Sequence, residues 1–402
     1  MKQTVTNTKN FAENSAVMKT YGRAEIAFVS GNGCWLTSDA GDDYLDFASG
    51  IAVNTLGHSH PALVAALQDQ AAKLWHTSNL YRIPGQENVA RMLAEISGLD
   101  QVFFCNSGAE ATEAAVKIAR RAAHENGEPE RMTILCASGA FHGRTLGMLA
   151  ATDRPVFRTG FGPMPDGFDH VAFGNLNALR SAMGEHVAAV MIESVQGEGG
   201  ARRVPYGYLQ GVRDAADEFG ALVIADEVQS GIGRTGDMFS FEADGIKPDI
   251  IALAKGIAGG FPAGAVVASN AVGNAMTPGT HGSTFGGNPL AMACAEATLK
   301  EITKPGFMDG VRERAAYLDF GLQTLMTKYA GKINEIRGRG FLRGIRLAPE
   351  HEIAPIVANL RSNHLLVVPA AENTLRLLPP LTVSIDEIDL ALSKLDVAIA
   401  AA

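Results

Sequence analysis

From about residue 86 onward, the chain alternates short apolar runs with longer stretches of helical period. The runs at 101–105, 132–136, 188–192, 222–225, 250–254 and 264–268 read as strands. Short, fully apolar strands with helices between them predict a mostly parallel sheet covered on both faces. Such sheets bind ligands just beyond the carboxyl ends of their strands, so chemistry is sought there. Ahead of this region, residues 34–36 and 44–47 flank Asp39-Ala40-Gly41-Asp42 and predict antiparallel strands around a turn. His60-Pro61 opens a helix with apolar positions at Leu63, Ala66, Leu67 and Leu74. Beyond about residue 310 the pattern changes to a helix near 310–328, strands at 333–336, 342–347, 365–368 and 374–378, and a final helix at 385–399. That order predicts a smaller α+β domain. The sequence has no internal repeat, and its Ala-rich end reads as a fraying helix terminus.

The 402 residues exceed one ordinary core, so two domains or a large domain with an appendage are expected. Apolar residues make up 47% and charged residues 19%, which excludes a disordered or collagen-like chain. A net charge of -9 gives no general attraction for nucleic acid, and no polybasic stretch serves anionic lipid. The first 20 residues are polar and are expected to order only partly, against a partner. Met1-Lys2-Gln3-Thr4 contains no apolar signal core. No apolar run reaches the roughly 20 residues of a membrane helix. The four cysteines, Cys34, Cys105, Cys136 and Cys294, lack metal-ligand spacing and are too sparse for a disulfide framework. A reducing, cytoplasmic location is therefore expected.

Candidate chemistry falls at the predicted strand ends. Lys255 follows the run Asp249-Ile250-Ile251-Ala252-Leu253-Ala254. Most lysines are solvated surface residues. A desolvated lysine beside a cationic ring has a lowered pKa and suits imine chemistry. Asp226 and Glu227 follow another strand. Asp226 reads as a local cap, a metal ligand or a general base; toward a pyridine-type cofactor it would keep the ring nitrogen protonated. Ser107 and Glu110 fit a capping box, and the same helix start offers N–H groups to a phosphate. Gly139-Ala140-Phe141-His142-Gly143-Arg144 is either a mobile loop with a buried Phe or an aromatic face beside a carboxylate-binding guanidinium. Arg376 sits inside an apolar strand and needs a partner. Glu198 is the candidate within the protein, and a substrate carboxylate is the alternative. Gly231-Ile232-Gly233-Arg234-Thr235-Gly236 matches a dinucleotide fingerprint but leads into no clear helix, so no such site is expected. His58-Ser59-His60 lacks further ligand spacing and reads as a loop or helix cap, so no metal site is expected.

Together these motifs closely resemble the class III (subgroup II) pyridoxal-phosphate aminotransferases of fold type I, over nearly the whole chain. The most specific stretch runs from Ala225-Asp226-Glu227-Val228-Gln229 to Gly236 and on to Lys255. Within that class, Thr20-Tyr21-Gly22-Arg23 and residues 50–58, 74–81 and 104–111 are similar to the acetylornithine branch. Thr112 stands where that pattern usually has Asn, and Ser194 where it usually has Pro.

The resemblance implies an α/β fold with a large domain at 51–305 on a mostly parallel, seven-stranded sheet. It implies a small α+β domain at 306–402, joined by the N-terminal segment 1–50. Pyridoxal 5'-phosphate is the implied cofactor. Lys255 would hold it as a Schiff base and later move a proton. Asp226 would pair with the ring nitrogen, Gln229 with the ring hydroxyl, and Phe141 would stack on the ring, with His142 also at the cofactor. Ser107, Gly108 and Ala109 would hold the phosphate. Thr284, with Ser283 beside it, would reach the phosphate of a neighbouring subunit, giving a homodimer with shared sites. Arg144 would bind the α-carboxylate of acetylornithine and Arg376 that of glutamate or 2-oxoglutarate. Glu198 would cover Arg376 while the δ-amine reacts, and Tyr21 is placed on the substrate side. The alternatives are succinylornithine, succinyl-diaminopimelate, ornithine or 4-aminobutyrate aminotransferases, a mutase, or a cofactor-free binding protein. Lys255, Asp226 and the phosphate loop together argue against the last.

Overall fold

The computed structural model describes residues 15–402. Most of the polar N-terminal stretch expected to order against a partner, residues 1–14, lies outside the described residues; residues 15–20 are exposed.

Seven strands form the central sheet, in the order Gln101–Cys105, Gly264–Ala268, Ile250–Leu253, Leu222–Asp226, Val187–Ile192, Thr133–Ala137 and Phe168–Val171. Gly264–Ala268 runs antiparallel to both neighbours, and the other pairings are parallel. Six of these strands match the apolar runs. Phe168–Val171 was not expected, because Asp169 and His170 interrupt its apolar pattern. It lies at the sheet edge, where one side needs no strand partner and polar residues are tolerated.

Helix Gly108–Glu125 lies against the sheet through Ala111, Ala114, Ala115, Ile118, Ala119 and Ala122. These mostly small side chains let the helix backbone approach the sheet closely. Tyr208–Phe219 and Pro289–Ile302 contribute Leu209, Val212, Met292 and Leu299 to a second, larger apolar core. Both faces of the sheet are therefore covered.

Two four-stranded sheets lie outside this one. Phe28–Asn32, Trp35–Ser38 and Asp43–Asp46 form an antiparallel ribbon, which Leu365–Leu366 joins in parallel. Ile333–Arg339, Leu342–Leu347, Thr374–Leu377 and Val368–Ala370 form the other. The single strand expected at 365–368 is thus two strands in different sheets. Pro369 cannot donate to a ladder, and Val368–Ala370 is accordingly an edge strand. The helix expected through Leu74 ends earlier, spanning Pro61–Ala71, and Leu74 is exposed. Among the described residues no helix is long and apolar enough to cross a membrane.

Candidate active site

The carboxyl ends of the central strands converge on a cavity of about 400 Å³. Lys255 lines it, just past strand Ile250–Leu253. Its backbone is left-handed at φ 47°, a strained conformation for a side chain of this size. Next to it, Gly256 accepts a hydrogen bond from the Thr55 hydroxyl, and a Cβ on Gly256 would meet that oxygen at 2.5 Å. Burial, and then the charge of Arg376, push the Lys255 amine down to about 8. A neutral, nucleophilic amine is thereby accessible near physiological pH.

Asp226 ends its own strand and turns into the same cavity. Its Oδ2 lies 2.7 Å from His142 Nδ1, and its Oδ1 accepts the Val228 N–H at 3.0 Å. Burial works against a charge on His142, but the Asp226 hydrogen bond outweighs it and holds the imidazole well above its ordinary pKa. His142 therefore backs the Asp226 carboxylate through Nδ1. The neighbouring Glu227 points elsewhere: it accepts hydrogen bonds from the Ser240 and Phe241 N–H groups and from Ser230 Oγ. Of the two carboxylates flagged by sequence, one faces the cavity and the other braces a loop.

Helix Gly108–Glu125 starts at the cavity. Ser107 caps it by accepting the Glu110 N–H at 3.3 Å. Glu110 in return binds the N–H of Asn106 at 2.8 Å, so the expected capping box is closed one residue earlier. The Gly108 and Ala109 N–H groups open the helix and find no acceptor within it. A Cβ on Gly108 would meet Val228 Cγ1 at 2.7 Å, so only glycine lets these two segments close together.

Arg376 is wholly buried, yet it belongs to the outer sheet containing Thr374–Leu377. Its Nη2 lies 2.7 Å from Glu198 Oε1, and its Nη1 donates to Gln229 Oε1 at 2.7 Å. The partner suggested for Arg376 is thus in contact with it. Burial would raise the Glu198 carboxyl, but Arg376 outweighs this and keeps it below the ordinary carboxylate range. Gln229 lines the same cavity, where the contact to a ring hydroxyl is expected. Arg144 is exposed at the cavity mouth and stacks on Phe157 and Phe141.

Some expected residues do not gather here within one chain. Tyr21 is exposed and faces Arg23. Ser283 and Thr284 line a separate surface recess with Asn79 and Phe103. Asn106 bridges the two places: it lines the Lys255 cavity, and its Nδ2 lies 3.3 Å from Ser283 Oγ. His58 binds Asp46 at 2.8 Å, and the Gly231–Gly236 region is held by Arg234, which donates to the carbonyls of Phe341 and Pro379.

Sequence reasoning missed Glu193. It immediately follows strand Val187–Ile192, where the strand-end rule could have found it. Its Oε2 accepts the Phe141 N–H at 3.1 Å. Burial raises its carboxyl to about 7, with His142 opposing and Asp226 adding to the rise. Thr112, noted only as a departure from pattern, donates to the His142 carbonyl at 2.7 Å.

These donors fit pyridoxal phosphate. Two free N–H groups at a helix start suit a phosphate. A buried carboxylate backed by an imidazole suits a protonated pyridine nitrogen, and Lys255 supplies the amine. Phe141 and Val228 supply apolar faces. This set fits a pyridoxal-phosphate enzyme acting on amines. The family model described as "Aminotransferase class-III" matches residues 17–399, and the chain belongs to that family. It is 49% identical over 381 residues to the acetylornithine aminotransferase of Mesorhizobium japonicum, covering 95% of each protein. It superimposes on the ornithine aminotransferase of Toxoplasma gondii with a TM-score of 0.93 at 32% identity, covering 96% of this chain and 93% of that one. The N-acetylornithine aminotransferase of Stenotrophomonas maltophilia gives a TM-score of 0.83 at 35% identity, covering 95% and 97%. The chain is accordingly a pyridoxal-phosphate-dependent aminotransferase.

Proposed function

We propose that the enzyme transfers the δ-amino group of N2-acetylornithine to 2-oxoglutarate, giving N-acetylglutamate 5-semialdehyde and glutamate. The reaction serves arginine biosynthesis in the cytoplasm. The observation that carries this reading is the Glu198–Arg376 ion pair at 2.7 Å beside Lys255 and Gln229. The similarity to acetylornithine aminotransferases supports it.

When bound, pyridoxal phosphate supplies an electron-accepting ring that stabilises negative charge on the carbon losing a proton. Asp226 holds the proton of the ring nitrogen, and His142 keeps Asp226 oriented. Gly108 and Ala109 bind the phosphate through their N–H groups, with Ser107 capping the same turn. Lys255 Nζ takes the proton from the amine-bearing carbon of the substrate and returns it at the other end of the transfer. Arg144 binds the α-carboxylate of acetylornithine, and Tyr21 contributes on the substrate side. Glu198 neutralises Arg376 while the δ-amine reacts. It then swings away, and Arg376 takes the carboxylate of glutamate or 2-oxoglutarate. Uncovering Arg376 for one half-reaction only is how one site accepts two different amines.

The chain divides, in this reading, into an N-terminal segment (1–50), a cofactor-binding domain (51–305) and a small domain (306–402). Two copies form a homodimer, and Thr284 of each reaches the phosphate of the other's site, with Ser283 beside it on the substrate side.

The Glu198→Ala variant tests the gate. Its glutamate half-reaction should speed up relative to its acetylornithine half-reaction, measured in single turnovers. An unchanged ratio would sink the gate. Initial rates on acetylornithine, succinylornithine, ornithine and 4-aminobutyrate test the donor, and acetylornithine is expected to give the highest kcat/KM.

A further inference from the structure

Phe157 and Arg154 have no role in the chemistry above, yet they connect its two carboxylate-handling parts. Both lie at the short helical turn Pro155–Arg158, with Arg154 as its leading residue. The Arg144 guanidinium carbon lies 3.7 Å from the Phe157 ring centre and 5.4 Å from that of Phe141. Phe157 also meets Phe141 edge-on, with centres 5.8 Å apart and planes at 81°. Phe157 thus touches both the donor-binding arginine and the aromatic assigned to the cofactor ring.

Arg154 extends the chain of contacts. Its guanidinium carbon lies 4.8 Å from the Phe157 ring centre. Its Nη1 donates to the Glu198 carbonyl oxygen at 3.0 Å. The same oxygen accepts the Ala371 N–H at 3.1 Å. The Glu198 main chain is therefore tethered from two sides, while its carboxylate rests on Arg376. Two like charges share one ring, and like charges repel. Among the described residues neither Arg144 nor Arg154 forms an ion pair with a carboxylate. An anionic group on the bound donor would supply the missing countercharge at Arg144.

We propose that Phe157 and Arg154 are positioning residues for donor selection. Phe157 fixes the Arg144 guanidinium for the donor carboxylate, and Arg154 couples that site to the main chain of the Glu198 gate. This rests on the reading that Arg144 receives the donor carboxylate.

The test is the pair of half-reactions of the holoenzyme, followed by cofactor absorbance in single turnovers with acetylornithine or with glutamate. Phe157→Leu should raise the apparent Kd for acetylornithine about fivefold, in line with loss of a cation–π contact at an exposed guanidinium. It should leave the limiting rate and the glutamate half-reaction within about twofold. Phe157→Tyr, which keeps the ring, should restore acetylornithine binding. Arg154→Met should disturb both half-reactions, because it also releases Glu198. A general folding defect would move both half-reactions in Phe157→Leu alike, and that result overturns the proposal. So does a silent Phe157→Leu, a Tyr variant that fails to rescue, or an Arg154→Met effect confined to acetylornithine. Arg144→Met separates the two levels. If it leaves acetylornithine binding intact, the donor reading falls and takes the proposal with it. If it weakens binding while Phe157→Leu does nothing, the proposal alone falls.

Discussion

A lysine amine in water stays charged well above neutral pH, but the Lys255 amine is enclosed and faces the Arg376 guanidinium. Burial first and Arg376 second bring it to about 8. Addition of pyridoxal phosphate requires the neutral amine. The rate of reconstitution of the cofactor-stripped protein should therefore rise with pH to a plateau, with a midpoint near 8. A midpoint in the ordinary lysine range would contradict the enclosure of this amine. Lys255 and Asp226 were legible because each stands directly after a wholly apolar run, where a charge has to be explained. Glu193 stands in the same position, but its motif drew attention only to Ser194, the departure from the family's pattern. The Glu198–Arg376 contact was legible as a candidate pairing, with a substrate carboxylate as the alternative partner. Its geometry depends on strands far apart in sequence.

Among the elements, the helix Gly108–Glu125 shows how a local rule becomes a binding site. Its capping residues settle where it starts, and its alanines settle how closely it lies on the sheet. Gly108 then has no room for a side chain, with Val228 Cγ1 2.7 Å from where a Cβ would stand. Gly108→Ala must push Val228 or the helix start outward, an overpacking change of about 1–3 kcal/mol. Cofactor affinity should fall roughly tenfold or more, measured by equilibrium dialysis, while the helical signal is retained. An unchanged affinity would show that this close approach does not shape the cofactor bed. Element boundaries were read well where strands are wholly buried, as at 264–268 and, within one residue, 188–192. The edge strand at 101–105 was also legible, because its run is mostly apolar. Two other edges were read poorly: Phe168–Val171 carries polar residues, and the run at 365–368 changes sheets midway.

At the scale of the whole molecule, four large exposed apolar residues stand on or next to the two segments that line the recess holding Ser283 and Thr284. Trp75, Leu80, Tyr81 and Phe285 are 65%, 90%, 70% and 60% exposed. Asn79 ties their two segments together through the carbonyls of Ser283 and Gly286. Large apolar side chains left in water at one place mark an interaction surface, which supports the homodimer with shared sites. Hybrid dimers test the sharing. Lys255→Ala and Thr284→Glu subunits should each be inactive alone, the second because a carboxylate would repel the phosphate. Mixed in one dimer, they should regain one working site, made of one subunit's Lys255 and the other's Thr284. A hybrid without activity would place Thr284 with its own chain's site. The sequence alone could suggest this arrangement only through family resemblance, because a surface shared between copies leaves no periodic trace in one chain.

The central claim is that Lys255 carries the cofactor on which all of this chemistry depends. Reduction of the yellow holoenzyme with borohydride, followed by peptide mass spectrometry, tests it most directly. The expected result is one pyridoxyl-phosphate adduct, on the peptide containing Lys255, and a Lys255→Ala protein that takes up none. An adduct on another lysine, or a protein that stays colourless when pyridoxal phosphate is added, would contradict it.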